Sequence, residues 1–194
     1  MWVKICGMTT AAAVTAALEA GADAIGFVFA ESARRVTPQV AAQLATPARG
    51  RVPCVAVIHH ATQQECDSML AEFAPDMLQA ELGDLARLAL PRGLDVLAVV
   101  RAGAEPADPP ARVLFEGPVS GTGVPCDWTR ARAFARRTQL VLAGGLDARN
   151  VAAAIRAVRP FGVDVSSGVE DKPGIKSALE IRRFVEAARE ESKL

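Results

Sequence analysis

A single (β/α)8 barrel, a closed α/β domain over residues 1–194, is the fold the sequence predicts. Three observations carry it. Eight short apolar runs rich in Val, Ile and Phe recur along the chain, apolar on both faces as strands of a buried parallel sheet are. Each is followed by a segment with helical spacing or by a connection of helix size, the alternation of βαβ units. No linker, low-complexity tract or shift in composition divides the chain. At 194 residues the chain is short for a TIM barrel, so its loops must be minimal and a fifth helix degenerate or absent. An open doubly wound sheet is the runner-up. It normally has fewer strands and a glycine-rich first turn, whereas the first turn here is Cys6-Gly7-Met8-Thr9.

The first strand is expected at 3–6. Thr9 or Thr10 then caps a helix with Val14, Ala17 and Leu18 on one face, ended by Gly21 in the position favoured by a C-terminal glycine. The second strand falls at 24–29, followed by a helix at 38–44 with Pro38 in its first turn. A third strand at 54–58 precedes the capping-box pair Thr62 and Glu65, with Cys66, Met69, Leu70 and Phe73 at helical spacing behind it. Strand four is read at 76–79 with a short helix near 85–88, and strand five at 94–100. Pro106, Pro109 and Pro110 exclude a regular helix from 101–111. Strand six at 112–115 leads to a helix at 128–136 capped by Asp127, and strand seven at 140–143 to one capped by Asp147 and stopped by Pro160. Strand eight at 163–165 precedes a final helix carrying Ile181, Phe184, Val185 and Ala188.

Composition excludes several function classes. Lys plus Arg total 22 and Asp plus Glu 22, so the chain lacks the positive field that nucleic-acid binding needs. Aromatic residues make up 5% of the chain and Tyr is absent, so base-stacking platforms have little to be built from. No apolar run approaches the roughly 20 residues of a membrane span. The start Met1-Trp2-Val3-Lys4-Ile5-Cys6 lacks the pattern of a signal peptide, so a cytoplasmic location is expected. Cys6, Cys54, Cys66 and Cys126 are far apart, form no CxxC pair and are read as free thiols with no metal site.

In a barrel of this kind the chemistry sits at the C-terminal ends of the strands. The residues expected there are Cys6, Phe29, His59, Gln79, Arg101, Glu116, Gly144 and Ser166. Strand seven runs into Gly144 and Gly145, strand eight into Ser166, Ser167 and Gly168. Glycine-rich turns feeding helix N-termini bring backbone N–H groups to an anion, and two such loops side by side form a phosphate grip; each alone is also a plain tight turn. Cys6 ends its strand beside Gly7, which gives the thiol room, and shares a strand face with Lys4, whose charge could lower the thiol pKa and make it a base. A buried, inert cysteine is the competing reading. Glu116 closes an apolar strand, where a carboxyl can hold a raised pKa and serve as an acid; a rim carboxylate in a salt bridge is the alternative. Asp164 shares parity with Ser166 and is expected to point inward. Arg34 and Arg35 offer a fork for a carboxylate or form a solvated pair. His59 and His60 are adjacent and read as loop residues.

These positions coincide with a known family. Lys4-Ile-Cys-Gly-Met-Thr9, the segment 21–29, Ser32-Ala-Arg-Arg-Val36, Val141-Leu-Ala-Gly-Gly-Leu146 with Asn150, and Gly162-Val-Asp-Val-Ser-Ser-Gly-Val-Glu170 with Pro173-Gly174 resemble phosphoribosylanthranilate isomerases of tryptophan biosynthesis. The resemblance implies a cofactor-free Amadori rearrangement of N-(5-phosphoribosyl)anthranilate to 1-(2-carboxyphenylamino)-1-deoxyribulose 5-phosphate. It implies Cys6 as general base and Glu116 as general acid, at a position where the family carries aspartate. Arg34 would face the anthranilate carboxylate, Gln79 and Asp164 would contact substrate, and Gly144, Gly145, Ser166, Ser167 and Gly168 would hold the phosphate. Two further departures stand out. The family's strand-four Q-L-H-G reads Gln79-Ala80-Glu81-Leu82, without the histidine, and the loop after strand six reads Ser120-Gly121-Thr122-Gly123-Val124, without the lysine, its glycines suiting a mobile cover. Two alternatives compete: a degenerate, non-catalytic barrel that binds phosphorylated ligands, and the aminoaldose-phosphate isomerase of histidine biosynthesis, which has aspartate where Cys6 stands. The expected partner is a small phosphorylated substrate, with no nucleic acid and no membrane, and the chain is read as a monomer or homodimer.

Overall fold

Eight parallel strands pair in chain order and close into a barrel. They are β1 (Trp2–Cys6), β2 (Ala24–Val28), β3 (Cys54–Val57), β4 (Met77–Glu81), β5 (Asp95–Arg101), β6 (Arg112–Glu116), β7 (Gln139–Leu142) and β8 (Gly162–Val165). Pairing of β8 with β1, from Trp2 opposite Gly162 to Ile5 opposite Val165, completes the circle. The computed structural model describes residues 1–117 and 126–192, so the glycine-rich segment 120–124 lies outside the described residues.

Around the strands lie α1 (Ala11–Glu19), α2 (Pro38–Ala45), α3 (Gln63–Phe73), α4 (Leu82–Arg87), α5 (Trp128–Ala135), α6 (Val151–Val158) and α7 (Ala178–Glu191). The connection from β5 to β6 is not helical, as its three prolines require. Caps define where the helices begin. Thr10, not Thr9, accepts from the Ala13 amide; Thr9 instead donates its hydroxyl to the Gly174 carbonyl. The Thr62–Glu65 capping box is formed in full, and Asp127 accepts from the amides of Thr129 and Arg130. Asp147 acts one turn earlier than expected. Its carboxylate accepts from Arg149 and Asn150, while Asn150 occupies the cap position of α6 and its side-chain amide donates to the Gly145 carbonyl. Asn150 thereby braces the loop after β7. Among the described residues no helix is long and apolar enough to cross a membrane.

Alternation along the strands divides the core in two. Ala24, Val55, Met77, Leu97, Val99, Leu114, Val141 and Ala143 fill the barrel interior, with Trp2 packed against them. Residues of the other parity, including Ile5, Phe27, Leu78 and Phe115, pack outward against the helices. Parity therefore sends Lys4 and Cys6 of β1, Gly26 of β2, Gln79 and Glu81 of β4, Arg101 of β5, Glu116 of β6 and Asp164 of β8 to the inside. Two elements were not anticipated: a 3₁₀ turn at Ser167–Val169, and a hairpin of β9 (Glu170–Lys172) with β10 (Ile175–Lys176). Both follow β8 and lie beside the site.

Candidate active site

Burial of charge dominates the lower part of the site. Lys4 is fully buried, and its ammonium donates to Asp164 Oδ1 at 2.8 Å. Burial alone would depress the lysine pKa; Asp164, with help from Cys6, overrides it and raises it. The register places Lys4 directly opposite Asp164, so the inward aspartate expected from the sequence has a lysine as its partner.

Cys6 stands one inward position above Lys4 and is buried. A Cβ on Gly26 would come within 2.9 Å of Cys6 Sγ and 3.2 Å of Lys4 Cε, so the room for thiol and lysine comes from β2. Gly7 makes space for something else: a Cβ there would meet Arg34 Cδ at 2.7 Å and Ser166 Oγ at 3.1 Å. The expected lowering of the thiol pKa does not occur. Burial pushes it up, and the nearby ammonium groups of Lys4 and Lys176 offset only part of that, with Asp164 adding to the rise.

Arg34 and Arg35, alike in sequence, have different fates. Arg35 makes an exposed pair with Glu31 at 3.0 Å, the solvated alternative. Arg34 is largely buried and grips Glu170 with Nε to Oε1 and Nη2 to Oε2, each at 2.8 Å. Glu170 also accepts from Lys176 Nζ at 2.7 Å, and Lys176 in turn donates to the carbonyl and hydroxyl of Ser166. Ser166 Oγ donates to the Cys6 carbonyl at 3.1 Å. A continuous network thus runs from Arg34 through the hairpin to the end of β8 and the backbone of Cys6. Burial would raise the Glu170 pKa, but its bonds to Arg34 and Lys176 outweigh that and lower it. Sequence reading assigned no role to Glu170 or Lys176. Glu170 lies inside a matched motif, whereas Lys176 gave no local signal.

The two glycine loops meet. Gly144 and Gly145 both take positive φ, and a Cβ on Gly168 would stand 1.9 Å from the Leu146 carbonyl oxygen. Gly168 is therefore the residue that lets the loop after β8 lie against the loop after β7, with Ser166 and Ser167 alongside.

The opposite rim carries a second charged group. β4 extends to Glu81, so Gln79 is not a strand-end residue: it sits two positions down, inside the barrel and buried, and among the described residues its Oε1 has no hydrogen-bond partner. Glu81 Oε1 receives Arg101 Nε at 2.9 Å and Nη2 at 2.5 Å, and lies 3.2 Å from His59 Nε2. Arg101 Nη1 is 3.2 Å from Glu116 Oε1. Glu116 thus takes the inward parity of its strand and belongs to a rim ion pair, the salt-bridged alternative. On the β2–β3 side a cavity of about 830 Å³, lined by Phe29, Arg35, Ile58, His59 and Met69 among others, opens beside the rim. The remaining thiols are core groups: Cys54 and Cys126 are each pushed up to about 11, chiefly by burial.

The family model described as N-(5'-phosphoribosyl)anthranilate isomerase matches residues 3–187. The N-(5'-phosphoribosyl)anthranilate isomerase of Rhodopseudomonas palustris is 39% identical over 99% of this chain and 97% of its own. The crystal structure of the phosphoribosyl anthranilate isomerase from Thermus thermophilus superimposes with a TM-score of 0.84 at 27% identity, covering 98% of this chain and 99% of that one. A phosphoribosyl anthranilate isomerase in complex with reduced 1-(o-carboxyphenylamino)-1-deoxyribulose 5-phosphate matches at a TM-score of 0.78 and 28% identity, with 98% of this chain and 99% of that one covered. With the family model matched over nearly the whole barrel and these site residues gathered at its C-terminal mouth, the chain belongs to the N-(5'-phosphoribosyl)anthranilate isomerase family.

Proposed function

We propose that this chain converts N-(5-phosphoribosyl)anthranilate to 1-(2-carboxyphenylamino)-1-deoxyribulose 5-phosphate, with the residues of this barrel in the following roles. The observation that carries the reading is the inward convergence of a buried thiol, a rim carboxyl and two abutting glycine loops at one end of a closed barrel.

The substrate phosphate is held by Gly144, Gly145, Ser166, Ser167 and Gly168. Its carboxylate meets the guanidinium edge of Arg34 that Glu170 does not occupy. Gln79 Oε1 offers an acceptor to a substrate hydroxyl, and Asp164 acts by keeping Lys4 in place under Cys6. Glu116 gives its proton to the ribose ring oxygen as the C1–O bond breaks, leaving the iminium of the ring-opened sugar. Cys6 thiolate then takes the C2 proton, whose electron pair forms the C1=C2 bond of the enolamine and neutralises the iminium nitrogen. Tautomerisation, with O2 losing a proton and C1 gaining one, gives the ketone. No electron is gained or lost overall, so the chemistry needs proton donors and acceptors alone.

Cys6→Ser tests this directly, because a hydroxyl is a far weaker base. With freshly generated substrate, followed by loss of anthranilate-type fluorescence, turnover is expected to fall by about 10²-fold or more while the reduced product analogue still binds. Because the base is the deprotonated form and burial raises the thiol pKa, the limb of the wild-type pH–rate profile that belongs to Cys6 should lie above the ordinary thiol value and disappear in Cys6→Ser. Unchanged turnover in Cys6→Ser removes this thiol from the mechanism. Absence of turnover with retained analogue binding favours the phosphate-ligand-binding barrel.

A further inference from the structure

Two of the departures from the family pattern meet on one guanidinium. Glu81 occupies the strand-four position where the family motif has histidine, and Glu116 the strand-six position where it has aspartate. Arg101, at the end of the intervening strand, touches both. Arg101 is in direct register with Glu116, and Glu81 pairs with Val99 two residues below, so the guanidinium leans back across β5 to reach Glu81.

A glutamate has one more rotatable bond than an aspartate, and its carboxyl must be held in place to deliver a proton to one atom. An arginine can hold it. Arginine alone, however, favours the carboxylate over the acid, since an opposite charge within about 4–6 Å stabilises the anion. The observed arrangement relieves that conflict. Two N–H groups of Arg101 converge on Glu81 Oε1, while the contact to Glu116 is the longer one at 3.2 Å. Two carboxylates and one guanidinium sum to one negative charge, and such a group accepts a proton readily. One carboxylate and one guanidinium are already neutral and do not.

We propose that Glu81 is a positioning residue which, by neutralising Arg101, lets Arg101 orient the longer side chain of Glu116 while that carboxyl keeps its proton. The proposal rests on the isomerase reading of Glu116 as general acid. Among the described residues, the titratable groups beside this one include His59 next to Glu81 and the buried Cys126 thiol behind Glu116, neutral near pH 7.

The test is a carboxyl-carbon NMR titration of the full chain labelled at glutamate, with the Glu116 signal assigned by its loss in Glu116→Gln. In Glu81→Gln the Glu116 midpoint is expected to fall by about one pH unit or more. In Arg101→Met it should rise, and in the double variant it should return toward the parent. The limb of the turnover profile set by the Glu116 midpoint should move in the same directions with KM little changed. A Glu81 of purely structural importance would lower the amplitude and leave the limb where it was. An unmoved or raised midpoint in Glu81→Gln overturns the proposal even if the enzyme is active. A parent chain without turnover sinks the isomerase reading and leaves the NMR midpoints to decide the trio.

Discussion

Arg34 and its neighbours show how much a single side chain depends on what lies behind it. Its guanidinium is fixed by a bidentate bond to Glu170, and Glu170 is fixed by Lys176. If the edge of Arg34 turned away from Glu170 receives the substrate carboxylate, the aim of that edge is set by a residue that never touches substrate. Glu170→Gln keeps the shape but loses one charge-assisted acceptor. KM should then rise by about tenfold or more with a smaller change in kcat, since one such bond is worth about 1.5–3 kcal/mol. Steady-state kinetics over a range of substrate decides it; equal KM values would mean that Arg34 needs no brace. The sequence motifs made Arg34, Cys6, Asp164 and Glu116 visible. They did not show what each was bonded to, because Glu170 is 136 residues away from Arg34 and Asp164 is 160 from Lys4. The same gap explains the thiol. From Lys4 alone a lowered pKa is the natural expectation, and burial, a property of the closed barrel, reverses the sign.

At the scale of elements, the loops after β7 and β8 act as one unit. Asn150 ties the first loop to the start of α6 through the Gly145 carbonyl, and Gly168 brings the second against it. Gly168→Ala would place a methyl 1.9 Å from a backbone oxygen, a contact that no rotamer relieves. The loops must separate, and affinity for inorganic phosphate measured by calorimetry should fall by about tenfold or more, since the bonds to a charged phosphate are worth about 1.5–3 kcal/mol each. Retained affinity would place the phosphate elsewhere. Strand and helix positions were legible because capping residues, prolines and apolar periodicity are local signals; Thr62 with Glu65 and the three prolines before β6 are the clearest cases. The 3₁₀ turn and the β9–β10 hairpin were not, because Glu170–Lys172 carries no apolar alternation and is ordered by tertiary contacts: Lys176 to Ser166, and Thr9 to the Gly174 carbonyl.

For the whole molecule, the Lys4–Asp164 pair is the point where architecture and site share a cost. A lysine with no exposed surface inside the barrel is tolerated only because β8 closes on β1 and supplies a carboxylate in register. Asp164→Ala leaves that ammonium buried without its partner, and urea denaturation should show a loss of about 3–5 kcal/mol. Replacing both, as in Lys4→Met with Asp164→Leu, should recover most of that loss. A single variant as stable as the parent would show that water reaches Lys4 and that the interior is wetter than its packing indicates.

The amino-acid sequence by itself determined the class of fold, the order and approximate limits of the strands, the absence of a regular fifth helix and the inward parity of Asp164, since each follows from short-range periodicity, proline placement and capping. Only the tertiary structure decided which charges are paired. Closure of the barrel sets Lys4 against Asp164, the hairpin sets Glu170 against Arg34, and the rim sets Arg101 between Glu81 and Glu116. Those pairings join residues far apart in the chain, and their strength depends on burial, which exists only after the chain has folded.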